Sequence, residues 1–173
     1  MDFDKLNDIK LLILDVDGVL TDGGIIYNDN CVETKIFNVK DGLGIRLFME
    51  AGLDLCIVTG RRSKALDNRC KNLGIDLVYD NVRDKASIFD RILDRTGVSA
   101  SEVAFMGDDL PDISLMKNVG LSIAVADAHE VVLETADMVT TAKGGNGAVR
   151  EVCELLLKAQ GHWDRIVDRF LRL

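Results

Sequence analysis

The chain has 173 residues, 47% of them hydrophobic, and a net charge of −8. That suits one domain with a substantial apolar core and argues against a generic nucleic-acid surface, which needs basic patches. No stretch approaches the roughly 20 apolar residues that span a bilayer, and Met1-Asp2-Phe3-Asp4-Lys5 lacks the basic-then-apolar pattern of a signal peptide. Cys31, Cys56, Cys70 and Cys153 are scattered, with no Cys-x-x-Cys pair. Reduced thiols in a cytoplasmic protein are therefore expected, and a zinc site is not.

In chain order, Leu11–Leu14 reads as a strand buried on both faces, running into Asp15-Val16-Asp17-Gly18-Val19. Two carboxylates at the carboxyl end of such a strand lie where open α/β sheets bind ligands, and a divalent cation is their usual compensation. Gly24–Tyr27 and Cys31–Phe37 read as a β-hairpin (about 24–37) around a three-residue turn, Asn28-Asp29-Asn30. This ribbon exposes Ile25, Ile26, Ile36 and Phe37 unless its own sheet or a ring of subunits covers them, and the pattern does not choose between the two.

Leu55–Val58 runs into Thr59-Gly60-Arg61, Leu77–Tyr79 is followed by Asp84-Lys85 near a helix start, and Val103–Met106 runs into Gly107-Asp108-Asp109 with Asp112 one turn on. Leu121–Ala124 is a further strand. Helical patterns alternate with these strands, which predicts an α/β fold: a doubly wound parallel sheet with helices on both faces, one domain over 1–173. Ser99-x-x-Glu102 and Asp127-x-x-Glu130 have capping-box spacing. Gly74, Gly97 and Gly120 fall where left-handed helix ends are expected, and Pro111 sits near a helix start. In the tail (about 161–173) apolar residues at 163, 166, 167, 170 and 171 form a helical stripe that must dock on something.

Each polar signal has an ordinary reading by itself. Asp15 and Asp17 suit a turn before Gly18, Thr59-Gly60 a strand-ending turn, Lys85 a solvated helix start, and Asp108-Asp109 charges favoured by a helix dipole. Together they are the parts needed to attack, hold and neutralise a phosphoryl group around a metal ion. The ordered set Asp15-x-Asp17-Gly-Val, Thr59-Gly60, Lys85 and Gly107-Asp108-Asp109-x-x-Asp112 covers about the first two thirds of the chain. It resembles the four motifs of the haloacid dehalogenase superfamily. Phe37-Asn38-Val39-Lys40-Asp41-Gly42, Thr59-Gly60-Arg61, Val125-Ala126-Asp127-Ala128-His129 and Gly144-Gly145-Asn146-Gly147-Ala148-Val149-Arg150-Glu151 extend the likeness over essentially the whole chain. These stretches are similar to the capless, tetrameric branch of 3-deoxy-D-manno-octulosonate 8-phosphate phosphatases.

The resemblance implies a Rossmann-like core with the hairpin in place of a cap domain. It also implies a homotetramer and Mg²⁺-dependent hydrolysis of a phosphorylated sugar acid in lipopolysaccharide precursor synthesis. By the same resemblance Asp15 is the nucleophile that becomes an aspartyl-phosphate and Asp17 the general acid and base. Thr59 and the Gly60 amide hold phosphoryl oxygens, and Lys85 neutralises developing charge. Asp15, the Asp17 backbone carbonyl and Asp108 would hold Mg²⁺, with Asp109 and Asp112 orienting Lys85 or a metal-bound water. Arg61 and Arg69 are the expected substrate-binding arginines, since a guanidinium forks to carboxylate or phosphate. Gly144-Gly145-Asn146-Gly147 either brings backbone amides to an anion or is a turn. The tail either packs locally or reaches an active-site mouth. Pro111 stands where an apolar residue is expected.

Three other readings share part of this pattern. A phosphatase for a nine-carbon sialic-acid-type substrate tends to carry glutamate where this chain has Arg61. A non-catalytic assembly module is disfavoured by the intact Asp15, Asp17, Thr59, Lys85 and Asp108. A signalling receiver domain places its reactive aspartate at the third strand, whereas here the pair ends the first.

Overall fold

Leu11–Leu14, four aliphatic residues in a row, becomes strand β1 with every side chain buried in the computed structural model, which describes residues 3–172. In chain order the elements are α1 (Phe3–Asp8), β1, β2 (Ile26–Tyr27), β3 (Glu33–Thr34), α2 (Val39–Glu50), β4 (Asp54–Val58), α3 (Lys64–Leu73) and β5 (Leu77–Tyr79). They continue with α4 (Phe89–Thr96), β6 (Val103–Gly107), α5 (Ile113–Met116), β7 (Leu121–Ala124), α6 (Glu130–Thr135), β8 (Met138–Val139), α7 (Ala148–Ala159) and α8 (Trp163–Leu171). Six strands form one sheet in the order β5-β4-β1-β6-β7-β8, every adjacent pair parallel. The chain winds outward from β1 through β4 to β5, then returns to β6 on the other side of β1. That reversal places the switch point between β1 and β6, where the loops after the two strands part and leave a crevice.

Alternation along β1 splits the core into two layers. Leu12 and Leu14 face a cluster with Ile45 and Phe48 of α2 and Val149, Val152 and Leu156 of α7. Leu11 and Ile13 face Phe89 and Ile92 of α4, Leu115 of α5 and Val132 of α6. Each such side chain removed from water stabilises the fold by about 1.5–3 kcal/mol before chain entropy is counted. Register sets the site: Leu14 lies level with Ile57 of β4 and Met106 of β6, so Asp15, Thr59 and Asp108 leave the sheet at one edge. Among the described residues no helix is long and apolar enough to cross a membrane.

Several local expectations shift. The hairpin turn is Asp29-Asn30-Cys31, one residue later than predicted: the Cys31 amide donates to the Asn28 carbonyl at 2.9 Å and Cys31 takes a φ of 56°. Asn28 forces this, its Oδ1 accepting the amides of Asn30 and Val32, each at 3.0 Å. The ribbon does not fold back onto the sheet, and Ile25, Ile26, Tyr27, Val32 and Ile36 stay exposed. Gly74 and Gly97 are left-handed helix ends, but Gly120 is not; there an added Cβ would lie 2.1 Å from the Ser101 carbonyl oxygen, so close approach requires the glycine. Ser99 and Glu102 form their capping box. His129, not Asp127, caps α6, because the Asp127 carboxylate turns away to accept the Gly144 amide at 2.9 Å. β8 carries too short an apolar run to announce itself. Helix α8 packs locally, Trp163 and Ile166 reaching the larger core while Phe170 and Leu171 stay exposed.

The glycine loop before α7 holds an internal anion. Asp41, only 1% exposed, accepts the Arg150 amide at 2.8 Å and the Gly147 amide at 3.3 Å. Burial nevertheless raises its pKa above the ordinary carboxylate range. The same loop also backs the loop after β1: the Gly145 amide donates to the Val19 carbonyl at 2.9 Å, and a Cβ on Gly144 would fall 1.7 Å from the Gly18 carbonyl oxygen.

Candidate active site

Parallel strands that end level put their following residues around one crevice, and here that crevice is a cavity of about 390 Å³. Its walls include Asp15, Asp17, Thr59, Gly60, Arg61, Lys85, Asp108, Asp109 and Asp112. Every residue expected to act in catalysis, substrate binding or metal binding therefore lines it except Arg69. Asp15 extends β1 by one residue, its amide donating to the Met106 carbonyl at 3.0 Å. Thr59 extends β4, with its amide on the Tyr79 carbonyl and its own carbonyl accepting the Val82 amide, each at 3.0 Å. Asp84 caps the short helical turn Lys85–Ile88, which drives Lys85 inward.

Lys85 is 3% exposed, with Nζ 2.7 Å from Asp15 Oδ1 and paired also with Asp112. Burial would lower its pKa, yet the charges of Asp15 and Asp112 together hold it above the usual lysine value. Asp112 is fully committed: besides Lys85 it accepts the amides of Asp108 at 2.8 Å and Asp109 at 3.2 Å. It thus orients Lys85 and closes the loop after β6. Asp109 does not join in, because its carboxylate caps Leu110 at 2.8 Å.

Three carboxylates, those of Asp15, Asp108 and Asp112, present oxygens within 4.8 Å of one another, and Lys85 is the sole ammonium among them. Burial pushes the Asp15 carboxyl up to about 6 against the pull of Lys85. Burial, with Asp15 and Asp112 as neighbours, pushes Asp108 up to about 8. Asp108 Oδ1 is buried with no hydrogen-bond partner. An all-oxygen cluster short of positive charge, with one oxygen unpartnered, fits a hard divalent cation. Gly18 makes room for it: at a φ of +97°, an added Cβ would sit 2.0 Å from Asp108 Oδ2.

Asp17 points the other way, toward the hairpin. Its carboxylate pairs with Lys35, whose side chain is 2% exposed, and lies 3.7 Å from Arg61 Nε. Lys35 also meets Glu33 at 2.8 Å, and Arg61 Nη2 meets Glu33 at 2.8 Å and the Tyr27 hydroxyl at 3.0 Å. Asp17, Lys35, Glu33 and Arg61 thus close a ring of alternating charge that ties the ribbon to the site.

The sequence reading missed Lys35 and Glu33, although their alternate positions on one face of the ribbon were readable. It also missed Arg83, which lines the cavity. Arg69 is the exception. Its Nη2 donates to the Asn38 carbonyl at 2.9 Å, and its guanidinium lies 5.6 Å from the Phe37 ring, in space left by Gly42. It ties α3 to the start of α2, and within this chain it does not reach the cavity.

The model of the haloacid dehalogenase-like hydrolase family matches residues 78–152. The 3-deoxy-D-manno-octulosonate 8-phosphate phosphatase of Escherichia coli K12 is 49% identical over 160 residues, 92% of this chain and 85% of the relative. The crystal structure of the Yersinia pestis phosphatase of that name has a TM-score of 0.92 at 46% identity, covering 94% of this chain and 88% of the other. The structure from Moraxella catarrhalis, in complex with a magnesium ion, a phosphate ion and a KDO molecule, has a TM-score of 0.94 at 43% identity over 97% of each chain. At that identity and coverage, the chain belongs to the 3-deoxy-D-manno-octulosonate 8-phosphate phosphatase family of haloacid dehalogenase-like hydrolases.

Proposed function

We propose that this protein hydrolyses 3-deoxy-D-manno-octulosonate 8-phosphate to the free sugar acid and phosphate, with Mg²⁺ as cofactor, in lipopolysaccharide precursor synthesis. One observation carries the reading: a chain 49% identical to the E. coli phosphatase gathers Asp15, Thr59, Lys85 and Asp108 at one cavity. Asp15 and Asp108 side chains, with the Asp17 carbonyl, would hold Mg²⁺, which screens an anionic nucleophile from an anionic substrate.

Asp15 attacks phosphorus, forming the aspartyl-phosphate as the bond to the sugar oxygen breaks. Asp17 gives that oxygen a proton and then takes one from the water that attacks phosphorus, releasing phosphate and restoring Asp15. Asp17 therefore has to leave Lys35 to act. Thr59 and the Gly60 amide hold phosphoryl oxygens, while Lys85, fixed by Asp112, stays beside the transferred group.

A homotetramer that covers the exposed ribbon residues Ile25, Ile26, Tyr27, Val32 and Ile36, acting in the cytoplasm, completes the proposal; the free thiols support the compartment. Phosphate release from eight-carbon and nine-carbon keto-sugar-acid phosphates, with Mg²⁺ and with chelator, tests it. Mg²⁺-dependent preference for the eight-carbon ester, lost in Asp15→Asn, is expected. Preference for the nine-carbon ester would overturn the substrate, and no release from either would overturn the chemistry. Light scattering on the purified chain checks the tetramer, which a monomeric mass would refute.

A further inference from the structure

Gly144 and Gly145 lie backbone to backbone against the loop after β1. A Cβ on Gly144 would fall 1.7 Å from the Gly18 carbonyl oxygen, and one on Gly145, whose φ is +65°, would fall 2.5 Å from the Asp22 nitrogen. The Gly145 amide also donates to the Val19 carbonyl at 2.9 Å. On its other side Gly18 faces Asp108, where a Cβ would sit 2.0 Å from Oδ2. Gly18 is thus gripped between the glycine loop and one proposed metal ligand, and it directly follows Asp17, whose carbonyl would be another.

Each amide from Gly144 to Gly147 already has an acceptor within the chain. Gly144 donates to Asp127 at 2.9 Å, Gly145 to Val19, Asn146 to the Lys143 carbonyl at 3.1 Å and Gly147 to Asp41 at 3.3 Å. What the loop offers its neighbours is therefore a fixed shape and not an anion site. Glycine backbone is costly to order, and side chains from the start of α2 supply the hold. Asn38 Oδ1 accepts the Lys40 amide at 2.8 Å, while its Nδ2 donates to the Gly145 carbonyl at 3.2 Å. Asp41 uses both oxygens, one on the Gly147 amide and one on the Arg150 amide. Gly44 lets α2 come this near to α7, since a Cβ there would lie 3.1 Å from the Arg150 Cα. Asp127 is exposed, so water can replace it as an acceptor. Asp41 is 1% exposed and has no such substitute.

We infer that the glycine loop is the backstop of the metal site, and that Asp41 and Asn38 are positioning residues acting through it. They hold Gly18 against Asp108, and so keep the Asp17 carbonyl in reach of the ion that Asp15 and Asp108 would share. The inference rests on the proposed Mg²⁺ ligands and is independent of which sugar phosphate is cleaved.

Calorimetric titration of the metal-free chain with Mg²⁺ alone, melts in chelator, and steady-state kinetics at limiting and saturating Mg²⁺ test it. Asp41→Ala should weaken Mg²⁺ binding by about threefold to thirtyfold, the range of coupling through a packed network. Asp41→Asn keeps one acceptor oxygen and should lose less. Asn38→Asp keeps the helix cap but not the donor to Gly145, so it should weaken Mg²⁺ by at least about threefold while moving Tm less than Asp41→Ala does. Gly52→Ala, at the opposite end of β4 from Thr59, should leave the affinity alone. The Asp41 and Asn38 variants should lose kcat at limiting Mg²⁺ and regain most of it at saturation, with KM for the sugar-acid ester unchanged. Wild-type Mg²⁺ affinity in Asn38→Asp, or in a folded Asp41→Ala, would overturn that residue's role even where Tm falls. An equal loss of affinity in Gly52→Ala would overturn both roles. If Asp41→Ala does not fold, Asp41→Asn and Asn38→Asp decide the matter. A wild-type chain that binds no Mg²⁺ would instead overturn the proposed ligands, and the inference with them.

Discussion

Gly18→Ala probes the close approach of the loop after β1 to the carboxylate cluster. An ideal Cβ at Gly18 falls 2.0 Å from Asp108 Oδ2 and 2.9 Å from Oδ1, against the 3.4 Å at which ordinary contact begins. The carboxylate must therefore retreat by about 1.4 Å, more than a metal ligand can move and stay in place. The backbone adds its own cost, about 1–2 kcal/mol for a side chain at positive φ. Gly52→Ala is the control, with a φ of +89° and nothing within 4 Å of the added Cβ. Gly52→Ala should lower Tm by about 2–8 °C, that backbone cost expressed for a chain of this size, and leave Mg²⁺ affinity alone. Gly18→Ala should lower Tm at least as far and weaken Mg²⁺ by about tenfold to a hundredfold. Melts with and without Mg²⁺, and titration calorimetry with the metal alone, read both quantities. Wild-type Mg²⁺ affinity in Gly18→Ala would refute the assignment of Asp108 as a ligand.

Two further outcomes follow from buried carboxylates. Without metal, burial pushes the Asp15 carboxyl up to about 6 and the Asp108 carboxyl up to about 8, whereas an unfolded aspartate ionises near pH 3.9. Between about pH 4 and 8 these two groups therefore hold more protons in the folded metal-free chain than in the unfolded one, so their contribution to stability falls as pH rises through that window. Mg²⁺ competes with those protons, so its calorimetric affinity should climb from pH 6 to 8 and then level off; a pH-independent affinity would contradict the cluster. Asp41→Ala strips the acceptor from two amides at the start of α7 and should lower stability by about 1–3 kcal/mol. A melt would show a drop of about 2–12 °C, and an unchanged Tm would mean that the glycine loop does not depend on Asp41.

The fold and most of the site were legible because their signals are local. A buried strand in a parallel sheet must be apolar along its length, and the chain must turn and meet solvent where it ends, so Leu11–Leu14 followed by Asp15 and Asp17 reads without coordinates. The same holds for Leu55–Val58 before Thr59 and for Val103–Met106 before Asp108. A hairpin's charges carry no such address. Lys35 finds Asp17 only because the ribbon bends back over the cavity, and sequence spacing does not encode that bend.

The sheet, the order of its motifs and the family follow from local patterns, since apolar runs, glycines and carboxylates at strand ends act over a few residues. Tertiary structure alone decided which charge meets which. It sent Arg69 to the Asn38 carbonyl and not to the cavity, filled the glycine loop with Asp41 from more than 100 residues away, and engaged Arg61 with Glu33. The reason is physical: an ion pair or a capped helix end depends on distances between elements, and those exist only once the sheet has brought its strand ends together.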